Sequence, residues 1–482
     1  MTVNLPEIIK ERQFRDLCAE ELFAFYKGDN EELKTVIFPR QSWLTEDEYA
    51  ILISFFAYVN LCKPSVNRIV SGVYGNPVKR SVENGSPYKD KVDGFLDESR
   101  GYSLKAREWF KSGVLYGPGI QVFYVGDDEE VHSWLPNPIR TEIVTNPHNV
   151  HDVVAIIEEV GPWNRAFVSG AESKIPIAKV NHKQIYRFVT KEAWGIADKD
   201  GNIIEFAEHG LGIVPAVICY GEDTRMYGEA RGRSLVKSAP QFSKVVTKLL
   251  LNQVALIMNT VRPVAVVSGE VKNENPQEAF EPGGVMEMLE GGKFGFVKAD
   301  TNFNDLTSTI DSYKANYCIS EGIPMDALDP ANMPENQSAT SARLRNQPMS
   351  VTINRLVEEQ KTNEIQALTI VGALYQMIDT ESPVTFSKFA KRFKCSVHIE
   401  PSGAPESLSE LAAAWAQLKA LGAYTTEDII RRAHGTAGET EIQRRVKEFE
   451  AAETRLLQQI SQGDPAKNTE TASDSPSDED AA

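Results

Sequence analysis

The chain has 482 residues, with 51 Lys+Arg against 68 Asp+Glu, a net charge of −17; at about 100–200 residues per domain that is room for about three domains. An apolar fraction of 41% and a charged fraction of 25% exclude a wholly disordered, collagen-like or small disulfide-rich chain. The acidic balance excludes a protein that grips nucleic acid over its whole surface: a basic face could exist only locally, against the overall field.

Residues 5–27 place Ile8, Ile9, Phe14, Leu17, Leu22 and Phe25 at helical spacing and predict an amphipathic helix. Thr45 with Glu48 forms a capping box, which predicts a second helix leading into the apolar run Ile51–Val70 and broken at Gly72–Pro77. Its most apolar part, Ala50–Cys62, is shorter than the roughly 20 residues that span a bilayer and reads as buried helix. The N-terminus is charged from Glu7 onward and lacks an apolar signal segment, so the chain reads as neither secreted nor membrane-bound. Cys18, Cys62, Cys219, Cys318 and Cys395 are odd in number and contain no C-x-x-C pair; they read as reduced, mostly buried thiols of a cytoplasmic protein.

From about Ser103 to Val189 a helix near Ala106–Val114 gives way to β-like segments at Ile120–Val125, Ile139–Thr145, Val153–Val160 and Gln184–Val189, followed by Ile203–Phe206 and Ala216–Tyr220. No βαβ alternation is present, which argues against a doubly wound sheet. Phe242, Val245, Val246, Leu249, Leu250 and Ile257 then predict a helix over 235–259, ended by Arg262-Pro263. Val264–Val267 reads as a strand, and the Gly-, Glu-, Asn- and Pro-rich stretch 268–302, with apolar patches at Val285–Leu289 and Phe294–Val297, as a small β-containing insertion. Phe303, Leu306, Ile310, Tyr313 and Tyr317 form a helical stripe that stops at Gly322-Ile323-Pro324. A very long helix is predicted from near Ser338 to before Ser382-Pro383, kinked at Pro348. Thr385–Glu400 reads as a strand decorated by Lys388, Lys391, Arg392 and Lys394. Three helical segments and an acidic, disordered tail at 461–482 complete the chain.

Catalytic patterns are missing. Gly291-Gly292-Lys293 is followed by Phe294 and so lacks the hydroxyl of a phosphate loop, and there is no nucleophile elbow, dinucleotide fingerprint or His/Cys zinc cluster. The pairs Asp127-Asp128 and Glu158-Glu159 read as solvated faces, so the sequence points to no cofactor, no metal and no enzyme. Two helices, at 235–259 and 303–321, flank a compact insertion. This describes a two-helix stalk with a module at its tip, an arrangement that buries more surface when copies pack side by side.

The segments Asn60-Leu-Cys-Lys-Pro-Ser-Val-Asn67 and Gly72-Val-Tyr-Gly-Asn-Pro77 resemble the first segment of portal proteins from tailed double-stranded DNA bacteriophages. So do Tyr227-Gly-Glu-Ala-Arg-Gly-Arg-Ser-Leu235, the stretch Glu321–Leu328 followed by Asn336–Ala342, and Leu418–Glu427, over about residues 30–455. The resemblance implies an α+β, mostly helical portal fold: a mixed wing (1–234 with 341–402, which holds the long kinked helix), stem helices (235–259 and 303–322), a clip (260–302), a tunnel loop (323–340) and a helical crown (403–460), assembled as a ring, usually of twelve subunits. It implies that double-stranded DNA passes through without sequence specificity. The implied partners are the large terminase subunit, a head–tail connector or adaptor, and the major capsid and scaffold proteins. The implied place is the portal vertex of the virion, after synthesis in the bacterial cytoplasm.

The implied DNA-channel residues are Met325, Asp326, Asp329, Asn332, Met333, Glu335, Asn336 and Arg343. No base lies between Ile323 and Ala342, so this loop would meet DNA sterically and let it slide. Lys237, Lys244 and Lys248 would face the stem lumen or pair with a neighbour's acids. Met286, Met288, Phe294 and Phe296 would form the clip's own core or its docking surface. Another virion assembly or minor head protein, and a soluble enzyme with an unrecognised site, remain the alternatives.

Overall fold

The computed structural model describes residues 17–40, 45–97, 101–126, 128–160, 185–261, 264–268, 293–297, 303–324, 339–380, 385–401, 443–444 and 446–447. The chain divides into two compact units, Met1–Ala404 and Pro405–Ala482. Residues 443–444 and 446–447 of the second unit are helical; the remainder of the predicted crown and the acidic tail lie outside the described residues.

Among the described residues the first unit opens with helices α1 (Leu17–Lys27), α2 (Asn30–Ile37) and α3 (Glu46–Ser54), and positions 5–16 of the predicted first helix lie outside the described residues. The sequence reading missed α2, although Asp29 supplies its cap by accepting from the Glu31 N–H at 3.0 Å. The three helices bury Phe25, Leu33, Ile37, Phe38, Leu52 and Phe56 together with Leu251 from a helix far along the chain.

The predicted continuous helix through Ala50–Cys62 is corrected. Helix α3 stops at Ser54, and α4 (Cys62–Tyr74) starts anew. In the connection, the backbone N–H groups of Val59 and Leu61 donate to Thr247 Oγ1 (3.1 Å) and Ser243 Oγ (3.2 Å). Asn60 accepts from the Lys63 N–H at 2.9 Å and donates to the Tyr26 carbonyl at 3.1 Å. Distant hydroxyls thus take over donors that a helical ladder would otherwise use, and the Asn60 side chain caps the new helix.

Strand β1 (Lys79–Val82) and helices α5 (Lys89–Phe95) and α6 (Tyr102–Tyr116) follow. Next come β2 (Pro118–Val125), β3 (Val131–Trp134), β4 (Thr141–Asn146), β5 (Asn149–Val160), β6 (Ile185–Thr190), β7 (Ala193–Asp198), β8 (Ile203–Glu208) and β9 (Ala216–Tyr220). They form a three-stranded sheet, β3-β2-β9, and a five-stranded meander, β4-β5-β6-β7-β8, antiparallel throughout. The β-like segments read from Val/Ile/Phe content over 120–220 each overlap a strand, except that Ile139 and Arg140 form a 3-10 turn before β4 and Gln184 lies outside the described residues, whereas the short β1, β3 and β7 were not anticipated. The sheets share a core of Ile120, Val122, Ile143, Ile156, Val189 and Val214. Helix α6 lies tightly on β2: a Cβ at Gly119 would sit 2.1 Å from the Trp109 carbonyl, so only glycine fits there, and Trp109 Nε1 donates to the Gly119 carbonyl at 2.9 Å.

Glu158 is a second correction. Expected on a solvated face, it is buried on β5, where it accepts from the Asn137 N–H at 2.8 Å and lies 3.9 Å from Arg187. Burial raises its carboxyl above the ordinary range. Strand β5 lies inside the meander, between β4 and β6, and carries buried residues on successive positions, so a polar residue there must find internal partners.

The C-terminal part of the unit holds α7 (Ala239–Val261), the antiparallel pair β10 (Val264–Ser268) and β11 (Lys293–Val297), α8 (Phe303–Glu321), α9 (Ala339–Thr380), α10 (Phe386–Arg392) and β12 (Cys395–His398). The strand predicted over Thr385–Glu400 is corrected: its first half is helix, and only Cys395–His398 is strand, paired with β1. Phe386, Phe389 and Phe393 recur at helical spacing, and Phe389 and Phe393 pack on Gly372 of α9, where an added Cβ would meet the Phe389 ring at 2.9 Å. The fold is α+β.

Candidate channel and assembly elements

The long helix α9 is the spine of the main core. Met349, Ile353, Leu356, Val357, Leu368, Val371, Leu374 and Tyr375 are buried along it against α4, α5 and α10. A buried ion pair locks its middle: Arg80 donates to both oxygens of Glu364, through Nη2 to Oε1 at 2.9 Å and through Nε to Oε2. Tyr74 adds a hydrogen bond to Glu364 Oε1 at 2.6 Å, and Gln360 Nε2 donates to the Tyr74 hydroxyl at 2.8 Å. The Arg80 guanidinium also donates to Ser103 Oγ at 3.1 Å and lies 5.1 Å over the Tyr102 ring. Every partner a desolvated carboxylate needs is present, which is the condition under which such a pair is tolerable in a core. The sequence reading missed this network.

Helices α7 and α8 pack on each other, and α8 buries Ile310, Tyr317 and Cys318. Near the core, Phe242 and Tyr317 meet at 5.4 Å between ring centroids. The Ser65 hydroxyl donates to the Leu61 carbonyl at 2.7 Å, so the Tyr317 hydroxyl, 2.8 Å away, is the donor to Ser65. Burial raises Tyr317 above the ordinary phenol range. The Ser238 hydroxyl donates to Glu321, whose carboxyl is also raised by burial. Away from this root, Asp305, Thr307, Ser308, Thr309, Asp311 and Ser312 of α8 are exposed, as is Ile257 of α7. Beyond the exposed ends lies the β10–β11 pair, with Val267 opposite Phe294 and Ala265 opposite Phe296.

Helix α8 stops abruptly. Gly322 takes φ +64°, its N–H bonds the Ile319 carbonyl at 3.4 Å and the Ile323 N–H bonds the Cys318 carbonyl at 2.9 Å, which is a Schellman cap. An added Cβ at Gly322 would lie 3.7 Å from Pro348 Cβ, so the end of α8 sits beside the first part of α9.

Of the predicted stem lysines, Lys237 lies before α7, 3.6 Å from Glu222. Lys244 pairs with Glu21 of the same chain and sits 5.0 Å over the Phe25 ring. Lys248 is exposed. Phe294 and Phe296 fall on β11, while Met286 and Met288 lie outside the described residues. Met325, Asp326, Asp329, Asn332, Met333, Glu335 and Asn336 also lie outside them, and Arg343 falls within α9.

The family model for phage portal protein, SPP1 Gp6-like, matches residues 20–455. The chain belongs to the phage portal protein family. The solved neck of a native GTA particle, computed with C12 symmetry, aligns with 83% of this chain and 96% of its own, at 14% identity and a TM-score of 0.44. No protein with a curated description matches. The portal protein family is structural and non-enzymatic, and its place is the virion. Among the described residues of this portal protein, no helix is long and apolar enough to cross a membrane.

Proposed function

We propose that copies of this chain close into a ring of about twelve around a channel for double-stranded DNA at one vertex of the capsid. In this reading α7 and α8 form the stem, residues 260–302 the clip, residues 323–340 the loop that meets DNA, and residues 403–460 the crown. The observation that carries it is the portal family match over residues 20–455. It is supported by a helix pair whose α8 leaves one side exposed, at Asp305, Ser308, Ser312 and Ile319 among others, which is surface for identical neighbours to cover. The acidic loop Asp326, Asp329, Glu335, with no base, would repel phosphates and favour sliding over gripping. The clip would dock the large terminase subunit during filling and a head–tail connector afterwards, and the wing would contact capsid and scaffold proteins. Sedimentation of the purified chain tests the ring: a closed assembly near twelve times the 53.5 kDa chain mass supports it, and a persistent monomer at micromolar concentration overturns it.

A further inference from the structure

The overall charge of −17 conceals a surface of the opposite sign. Lys388, Lys391 and Arg392 occupy positions i, i+3 and i+4 of α10 and so share one face at roughly 5–6 Å spacing. That face points to solvent because the opposite one is pinned. Phe389 and Phe393, stacked at 5.4 Å, are buried on Gly372, and Tyr88 lies 6.4 Å from Phe389. The backbone of Lys394 is fixed as well: its N–H donates to Ser86 Oγ at 3.1 Å, and its carbonyl accepts from the Glu83 N–H at 2.9 Å.

Strand β12 of the two-stranded ribbon β1–β12 follows α10 directly in the chain, and the ribbon adds exposed polar positions of its own. In the β1–β12 register Lys79 lies opposite His398 and Ser81 opposite Ser396, while Val82 and Val397 turn inward and are buried. Lys79, Lys388, Lys391, Arg392 and Lys394 are all exposed, and none is in an ion pair among the described residues. Elsewhere cations are mostly engaged: Lys27 with Glu32, Lys89 with Asp93, Lys191 with Asp152, Arg225 with Asp223, Arg233 with Glu229. The adjoining acids are Glu83, which is exposed, and Glu400, which lies 3.2 Å from His398.

We propose that this face binds the phosphate backbone of duplex DNA by charge, without reading its sequence. Two features favour DNA over an acidic protein. The face also carries Ser387, which is exposed, and Ser81 and Ser396, which are exposed and hydrogen-bonded to each other at 2.8 Å, so that one hydroxyl of that pair keeps its proton for a phosphate oxygen. No exposed aromatic side chain accompanies them among the described residues, and the aliphatic Ile365, whose carbonyl meets the Cys395 thiol of β12 at 3.9 Å, is only 37% exposed, whereas protein-binding patches depend on large exposed anchors. The face contrasts with the segment 325–338, which has three acids and no base. It gives the chain a place to hold duplex outside that loop, and it stands whether or not the copies form a ring.

The test uses the full-length protein and a covalently closed duplex minicircle, which cannot thread a preformed ring and so reports an outer face. Binding is measured by fluorescence anisotropy from 50 to 200 mM NaCl. Five phosphate contacts predict a slope of log K against log salt of about −4.5. The variant carrying Lys388→Gln, Lys391→Gln, Arg392→Gln and Lys394→Gln should bind at least tenfold more weakly at 50 mM, with the slope reduced to about −1. The conservative variant Lys388→Arg, Lys391→Arg, Lys394→Arg should keep both values, which separates lost charge from lost fold. An unchanged affinity and slope in the glutamine variant, or no binding of the circle by the natural chain, overturns the proposal. So does retention of a poly-glutamate peptide in place of the circle. Sedimentation of the same samples reads ring closure separately, so the two proposals fail independently.

Discussion

The long helix α9 and the helix pair α7–α8 are all extended rods, yet they are supported in opposite ways. Over Leu368–Tyr375 nearly every side chain of α9 is buried, and its one desolvated carboxylate, Glu364, is fully hydrogen-bonded. The pair is anchored by Phe242, Tyr317, Ser65 and the Gly322 cap, and α8 also buries Ile310, but its other side is exposed, Ile319 at 79%. A helix buried within a core is specified by its own chain. A helix pair covered on one side leaves the completion of its packing to other molecules, as an assembly subunit requires.

The strongest way to break this comparison is at the spine. Glu364→Ala leaves Arg80 buried without its counter-charge and should cost about 3–5 kcal/mol in denaturant unfolding of the purified chain; a loss under 1 kcal/mol would mean that α9 is not locked there. Next in size is an effect belonging to neither helix system. His209 donates from Nε2 to the Thr190 carbonyl at 3.0 Å, accepts at Nδ1 from the Leu211 N–H at 3.3 Å and stacks on Trp194 at 5.0 Å. Burial lowers its pKa to about 4. Because the folded value lies below the unfolded 6.5, the unfolded chain binds more protons in that window. The contribution is therefore complete above pH 6.5 and is lost as pH falls towards 4, about 3 kcal/mol in all. Unfolding measured across that range should show the loss, and His209→Gln should remove its part of the slope.

Smaller effects are predicted at the root of the helix pair. Tyr317→Phe removes the hydrogen bond to Ser65 but keeps the ring contact with Phe242, so stability should fall by about 1 kcal/mol. Circular dichroism should show helix content unchanged. The smallest effect on folding is the most informative one: Ile319→Ser should shift stability by less than about 0.5 kcal/mol while reducing the assembled fraction in sedimentation. An equal loss of stability would place Ile319 in the chain's own core and remove the contrast between the two helix systems.

The legibility of the sequence follows the same division. The stripe Phe303–Tyr317 with Gly322-Ile323-Pro324 marked α8 correctly, because periodicity and punctuation act locally. The strand Ala216–Tyr220 was equally plain. The Arg80–Glu364 pair joins residues 284 apart, and no local pattern marks it. The break before Cys62 depends on Ser243 and Thr247, also far along the chain. Residues 386–392 were misread for a different reason. They were read as part of one strand with basic decoration running to Glu400, while the spacing of Phe386, Phe389 and Phe393, visible all along, is helical. Of the candidate site, the stem lysines were identified but not their partners: Lys244 meets Glu21 and Lys237 meets Glu222 within one chain.

Electron-microscopy class averages of the purified full-length chain test the central claim most directly. A washer-shaped particle with an axial hole, built from about twelve copies, is the predicted result. A field of single compact particles without a hole would contradict it.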